Sequence, residues 1–250
     1  MAATRFFDSL TRKDTPKYLA SRFKLYERQP VTQLWDRLTQ VTEKQWSWLA
    51  VAEEDRWVAP ETRVVIVSGP PGNGKSSACY EWAVRVCRLE FVECVTWLDC
   101  ASADREQGAW VLRGCTASAN NYSVTEVPIP QKSDDFAGSV AVFDGLRAET
   151  IGSWTGVFAA LCRKGIAVIL CSSESVRIHV GNTQDVTQLR HRFPSWSLEE
   201  YKSACEDEEF WSKARLGLPG SPGQDASEVE KEHALALKFE FAGHCARFMF

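Results

Sequence analysis

The chain has 250 residues, 44% of them apolar, enough to bury one large core or a core with an appendage. Its 33 acidic and 29 basic residues leave a net charge of -4, which excludes a global basic field for nucleic acid or anionic membranes; only a local patch could serve. No segment approaches the roughly 18 apolar residues of a membrane span, and the opening MAATRFFDSLTRKD lacks the roughly 7 to 15 apolar residues of a secretory signal. An intracellular chain with no membrane partner is expected.

Residues 1–60 read as an N-terminal helical segment. Thr15 and Pro16 suit the N-cap and first position of a helix. Leu34, Leu38, Val41, Gln45, Trp48 and Leu49 then recur at steps of three and four, marking one helix face between about residues 31 and 51. From Val64 the texture changes. RVVIVSG, ECVTWLDC, SVAVFDG and GIAVILCSS are short apolar runs bounded by turn residues, separated by helical patterns at Lys75 to Arg88 and Trp154 to Arg163. The alternation predicts an α/β fold over residues 61–190, a three-layer sandwich whose parallel sheet is covered on both faces. Between Asp99 and Val140, GAWVLRG and NNYSVTEVPIP read as a short strand with a long loop or hairpin.

Residues 191–250 read as a polar, helical C-terminal extension. Ser197 with Glu200 has capping-box spacing, GLPGSPGQDASE is a loop, and EVEKEHALALKFEF is a terminal helix or helix-strand. The nine cysteines contain no CxxC pair and lie mostly in apolar segments, so reduced, buried thiols are expected rather than disulfides or zinc. Most of the ten tryptophans fall at amphipathic spacings that core packing explains.

The stretch VVIVSGPPGNGKSS carries the chemistry. Gly69, Gly74, Lys75 and Ser76 fit the Walker A pattern G-x-x-x-x-G-K-[ST], a P-loop. Gly69, Pro70, Pro71, Gly72, Asn73, Gly74, Lys75, Ser76 and Ser77 would wrap a phosphate, because glycines let backbone N–H groups turn inward. Lys75 would reach the β- and γ-phosphates, and the Ser76 hydroxyl would hold Mg2+ beside the positive end of the following helix. A chance match in a chain this long is roughly a 1% event. Here the motif also follows an apolar strand and opens a helix. Asp144, at the end of VAVFDG, is the Walker B candidate that would share the Mg2+ with Ser76; its alternative is a turn cap with Gly145.

Many ATPases place a water-polarising Glu after this Asp, and here the position is Gly145. Glu149 and Glu174 are the weak candidates for a base. Ser172 and Ser173 end the next strand, where a polar residue could sense the γ-phosphate, and Arg177, Arg190, Arg192 and Arg247 are candidate charge stabilisers. The GTPase-like pieces DFAG (135–138) and QKSD (131–134) stand adjacent, in reversed order and off the strand ends, so ATP rather than GTP is expected.

Together, VSGPPGNGKS, the acid followed by glycine in VFDG, Pro194, Trp196 and Glu200 of RFPSWSLEEYKSAC, and Gly243, Ala246, Arg247 and Phe250 of the ending resemble a known P-loop ATPase module. That module is shared by crinkler effector proteins and trypanosome retrotransposon hot spot proteins, and the resemblance spans about residues 60 to 250. It implies an AAA-like or STAND-like ATPase, often joined to a nuclease-like module, with a host-cell or nuclear location and nucleic acid as a partner by resemblance alone. No LFLAK-like header appears in residues 1–60, and no PD-(D/E)XK-like constellation stands out. The apolar ending ARFMF is what a missing further module would leave, whether by truncation or in a short homologue.

The leading expectation is an ATP-binding, Mg2+-dependent NTPase, a hydrolase with Lys75 and Asp144 at its centre. The second is a nucleotide-gated switch or interaction protein with a protein partner or self-association and little turnover, which Gly145 motivates. Phosphotransfer to a small molecule ranks last, because no second basic phosphate-binding set follows the third strand.

Overall fold

The computed structural model describes residues 6–7, 25–26, 28–49, 62–87, 89, 92–100, 108–114, 122–173 and 187–242. Its strands are β1 (Phe6–Phe7), β2 (Leu25–Tyr26), β3 (Thr62–Gly69), β4 (Cys94–Asp99), β5 (Ala109–Gly114), β6 (Tyr122–Val127), β7 (Val140–Leu146), β8 (Ala167–Ser173) and β9 (Thr187–Arg192). Its helices are α1 (Gln29–Leu49), α2 (Lys75–Val86), α3 (Ala148–Arg163), α4 (Leu198–Ala204), α5 (Glu208–Ala214) and α6 (Glu228–Ala242). Seven strands form one sheet in the order β6-β5-β4-β7-β8-β3-β9. The neighbours from β4 through β9 pair in parallel, while β5 and β6 extend the sheet by antiparallel pairing.

The apolar runs of β3, β4, β7 and β8 are continuous because both faces of the sheet are covered. On one face Val65, Val67, Val95, Trp97, Val142 and Ile169 pack with α1 and α2. On the other Ile66, Leu98, Phe143, Val168 and Leu170 pack with Trp154, Phe158 and Leu161 of α3. Phe143 centres this second layer, its ring 4.8 Å from Phe158 and 5.3 Å from Trp154, both edge-on. α1 buries Val31, Leu34, Leu38 and Val41. It is pinned to α2 by hydrogen bonds from Trp35 Nε1 to the Ala78 carbonyl (2.8 Å) and from Trp82 Nε1 to Thr39 Oγ1 (3.1 Å). Among the described residues no helix is long and apolar enough to cross a membrane, and the described cysteines are free and buried.

Three features differ from the sequence reading, while the hairpin alternative for GAWVLRG and NNYSVTEVPIP agrees with it. The helix expected from Trp154 begins six residues earlier at Ala148, where the Arg147 N–H is capped by Thr150 Oγ1; Gly152 and the polar opening AETIG mask its start. GAWVLRG and YSVTEV form the antiparallel pair β5 and β6 at the sheet margin. The polar TQLRHR is a parallel edge strand beside β3, its charges being what an unpaired edge tolerates. Residues 1–60, read as helical, contain the short antiparallel pair of β1 and β2 as well as α1. The helix expected at Thr15 and Pro16 lies outside the described residues, as does the Gly243, Ala246, Arg247 and Phe250 ending.

α4, α5 and α6 gather around their own small core of Trp196, Tyr201, Phe210, Trp211 and Leu235. Glu200 closes the capping box of α4 with Ser197 and also receives Arg28 from the start of α1, through Nε at 2.8 Å and Nη2 at 3.0 Å. Arg28 Nη2 also donates to the carbonyls of Ser195 (2.9 Å) and Pro194 (3.2 Å), and its guanidinium lies 4.7 Å from the Trp196 ring centre. The Arg28 side chain is only 1% exposed, so its charge is compensated by Glu200 alone among these partners. Removing one side of such a pair strands a buried charge. Glu200→Ala is therefore expected to destabilise the protein by about 3 kcal/mol in denaturant unfolding, and Arg28→Met with Glu200→Leu by less than the sum of the single changes.

Candidate functional site

The parallel register brings the carboxyl ends of the strands level, placing Gly69 opposite Ser173 and Asp99 opposite Asp144. The chain leaves β3 at this edge, makes the loop Pro70–Gly74 and enters α2. Gly72 and Gly74 hold φ of 76° and 86°, left-handed values that cost other residues strain. The first N–H groups of α2 have no intrahelical acceptor, so the helix offers its positive end to the hollow of the loop.

Lys75 is buried, and its Nζ donates to the carbonyls of Gly69 (2.9 Å) and Pro70 (2.6 Å). Ser76 Oγ donates to Asp144 Oδ1 at 2.7 Å, joining the start of α2 to the end of β7. Burial pushes the Asp144 carboxyl up to about 6; the Ser76 hydroxyl opposes this, the Asp99 charge adds to it, and the Gly145 N–H and Lys75 oppose it. Among the described residues no cluster of three or more His, Cys, Asp or Glu could hold a metal. A hydroxyl bonded to a buried carboxylate instead fits the sparse protein contribution that Mg2+ takes when phosphates and waters complete its shell.

The other expected residues spread around this centre. Pro71 is exposed at the loop apex, Pro70 and Ser77 are half-buried, and Asn73 is buried with its Nδ2 donating to the Pro194 carbonyl at 3.1 Å. Ser172 is buried and its Oγ has no hydrogen-bond partner; Ser173, the register partner of Gly69, lies by alternation on the α2 face. Glu149 is exposed in the first turn of α3, and Arg190 and Arg192 are exposed on β9. Glu174, Arg177 and Arg247 lie outside the described residues. Residues 131–138 precede β7 and so sit at the amino edge of the sheet, away from the loop.

A cleft of about 280 Å3 adjoins the loop, lined by Pro30, Gln33, Pro70, Arg192, Pro194 and Ser195. A larger cleft of about 420 Å3 against α6 includes Asp225 and Glu230 but neither lysine nor arginine in its lining, an unsuitable setting for phosphate. Sequence reasoning missed Arg28, which ties the cleft walls together, and Asp99, which stands beside Asp144. The end of ECVTWLDC, an acid closing an apolar strand as in VFDG, was the available signal for Asp99.

The raised carboxyl of Asp144 has a consequence for stability. A folded pKa near 6, above the ordinary 3.8, means that the folded state holds this proton more tightly. The contribution is fully present below about pH 4 and is lost as pH rises through about 6, on the order of 2–3 kcal/mol. Asp144→Asn, free of metal and nucleotide, is expected to lack this loss and to melt above the wild type at pH 8, as thermal unfolding across pH 4–8 would record.

No family model and no curated protein sequence matches the chain. Over 90% of its length it is similar to the solved structure of C. elegans PCH-2, at 14% sequence identity and a TM-score of 0.48, and it spans 61% of that chain.

Proposed function

We propose that the chain is an ATP-binding, Mg2+-dependent P-loop NTPase, with Lys75 and the loop amides on the phosphates and Ser76 and Asp144 on the metal. The observation that carries this reading is the 2.7 Å hydrogen bond between Ser76 and the buried Asp144, beside Lys75 and a glycine loop opening a helix. Nothing in a core built for stability alone calls for a carboxylate that is 3% exposed at the end of a central strand. The cleft beside Pro70 has the position and mixed lining for the base and ribose, with Arg192 at its margin. Bound Mg2+ would offset phosphate charge and polarise the γ-phosphoryl group. Lys75 would exchange its two loop carbonyls for phosphate oxygens, and the α2 terminus would hold the same oxygens in a fixed field.

The proposed organisation is an N-terminal helical segment, a P-loop core and a C-terminal helical extension. In the segment that carries the crinkler-type resemblance, Pro194, Trp196 and Glu200 all contact Arg28, through a carbonyl, a ring face and a carboxylate. A second reading, tight nucleotide binding with little turnover and a protein partner or self-association, is favoured by Gly145, whose φ of 75° and missing side chain leave no base after Asp144.

Lys75→Ala is expected to lower kcat/KM for ATP by about 100-fold or more, and Asp144→Ala to abolish the Mg2+ requirement for tight binding along with turnover. ATP binding by titration calorimetry and radiolabelled phosphate release, measured on the same preparations, would check both. Turnover equal to wild type in the two variants removes the enzymatic reading; binding without turnover in the wild type selects the switch.

A further inference from the structure

We propose that Asp99 supplies the base that Gly145 does not, orienting the water that attacks the γ-phosphoryl group and accepting its proton; this rests on the NTPase reading above. β4 and β7 run in parallel with Asp99 opposite Asp144, so the two Cα atoms lie about one strand spacing apart, ~4.8 Å. Their faces agree. Trp97 and Val142 point into the layer beneath α2 while Leu98 and Phe143 point the other way, so alternation turns Asp99 and Asp144 to the α2 side, where Ser76 meets Asp144.

The surrounding hydrogen bonds fix this strand end. The Asp99 N–H donates to the Gly108 carbonyl at 2.9 Å, and the next N–H, Cys100, donates to the Asp144 carbonyl at 2.7 Å. Asp99 is half-buried, so water reaches it. In the sheet order, β7 is two strands from β3 and β4 is three, which sets Asp99 one spacing beyond the proposed metal ligand, on the side away from the loop. Glu149 is exposed on α3, and Gly145 has no side chain. The loop beside these carboxylates holds a buried Lys75 and a buried Asn73 whose Oδ1 has no hydrogen-bond partner.

In the proposed step the water oxygen forms a bond to the γ-phosphorus as the bond from that phosphorus to the β,γ-bridging oxygen breaks. ADP leaves with that electron pair, and the water proton passes to the Asp99 carboxylate and then to solvent.

The test measures ADP and ATP affinity, single-turnover ATP hydrolysis, and the gain in ADP affinity produced by aluminium fluoride, which mimics the transferring phosphoryl group with its attacking water. All are run on the full chain with Mg2+. Asp99→Asn is expected to keep ADP and ATP affinity within about threefold, to slow hydrolysis by about 100-fold or more, and to lose the aluminium fluoride gain. Asp99→Glu, which keeps a carboxylate, is expected to recover part of both. Hydrolysis within about threefold of wild type in Asp99→Asn overturns the proposal, as does a loss of ADP affinity as large as that of Lys75→Ala. A wild type that binds ADP but neither turns over ATP nor gains affinity with aluminium fluoride overturns the role of Asp99 and leaves nucleotide binding standing. A wild type that binds neither nucleotide removes both readings.

Discussion

The molecule is organised by a register. Once β4, β7, β8 and β3 align in parallel, each strand must end at the same edge, and whatever residue closes an apolar run is delivered there. Asp99, Asp144, Ser173 and Gly69 stand at that edge. The apolar interior thus does the positioning: Phe143 and Trp97, packed on opposite faces, fix how far their strands advance before polar chemistry begins. A slip of one residue would turn Asp144 away from α2 and break its bond to Ser76.

That dependence explains what could be read in advance. β3, β4, β7, β8, the loop and α2 are all visible in the sequence because central parallel strands must be apolar throughout and a turn through left-handed φ calls for glycine, as at Gly72 and Gly74. Lys75, Ser76 and Asp144 follow from that pattern. β9 escaped because an edge strand needs no apolar run, and the first two turns of α3 escaped because Gly152 and exposed polar residues dilute the helical period. Asp99 was in view as a residue but not as a neighbour, since its significance comes from pairing with a strand more than forty residues away. Arg28 is further still, 172 positions along the chain from Glu200. No local pattern announces a contact of that range.

Arg28 shows how a single side chain can serve three layers. Its guanidinium meets the carboxylate that caps α4, the carbonyls of the segment between β9 and α4, and the rings of Phe193 and Trp196. Asn73 of the loop before α2 donates to the same Pro194 carbonyl. The planar fork suits this role in a way lysine could not match, because one point charge cannot satisfy a bidentate carboxylate and two carbonyls together. The C-terminal helices are held to the sheet at the place where the loop and the adjoining cleft also converge.

The loop satisfies Lys75 internally, the ammonium resting on the carbonyls of Gly69 and Pro70. An incoming anion therefore competes with two good acceptors. On the proposed reading, a monovalent ion such as chloride would return less than the carbonyls give, whereas a polyphosphate would engage the ammonium, the helix terminus and the loop amides together. Such a loop would act as a threshold, admitting ligands by their charge density and number of oxygens and shielding the lysine from the salt around it.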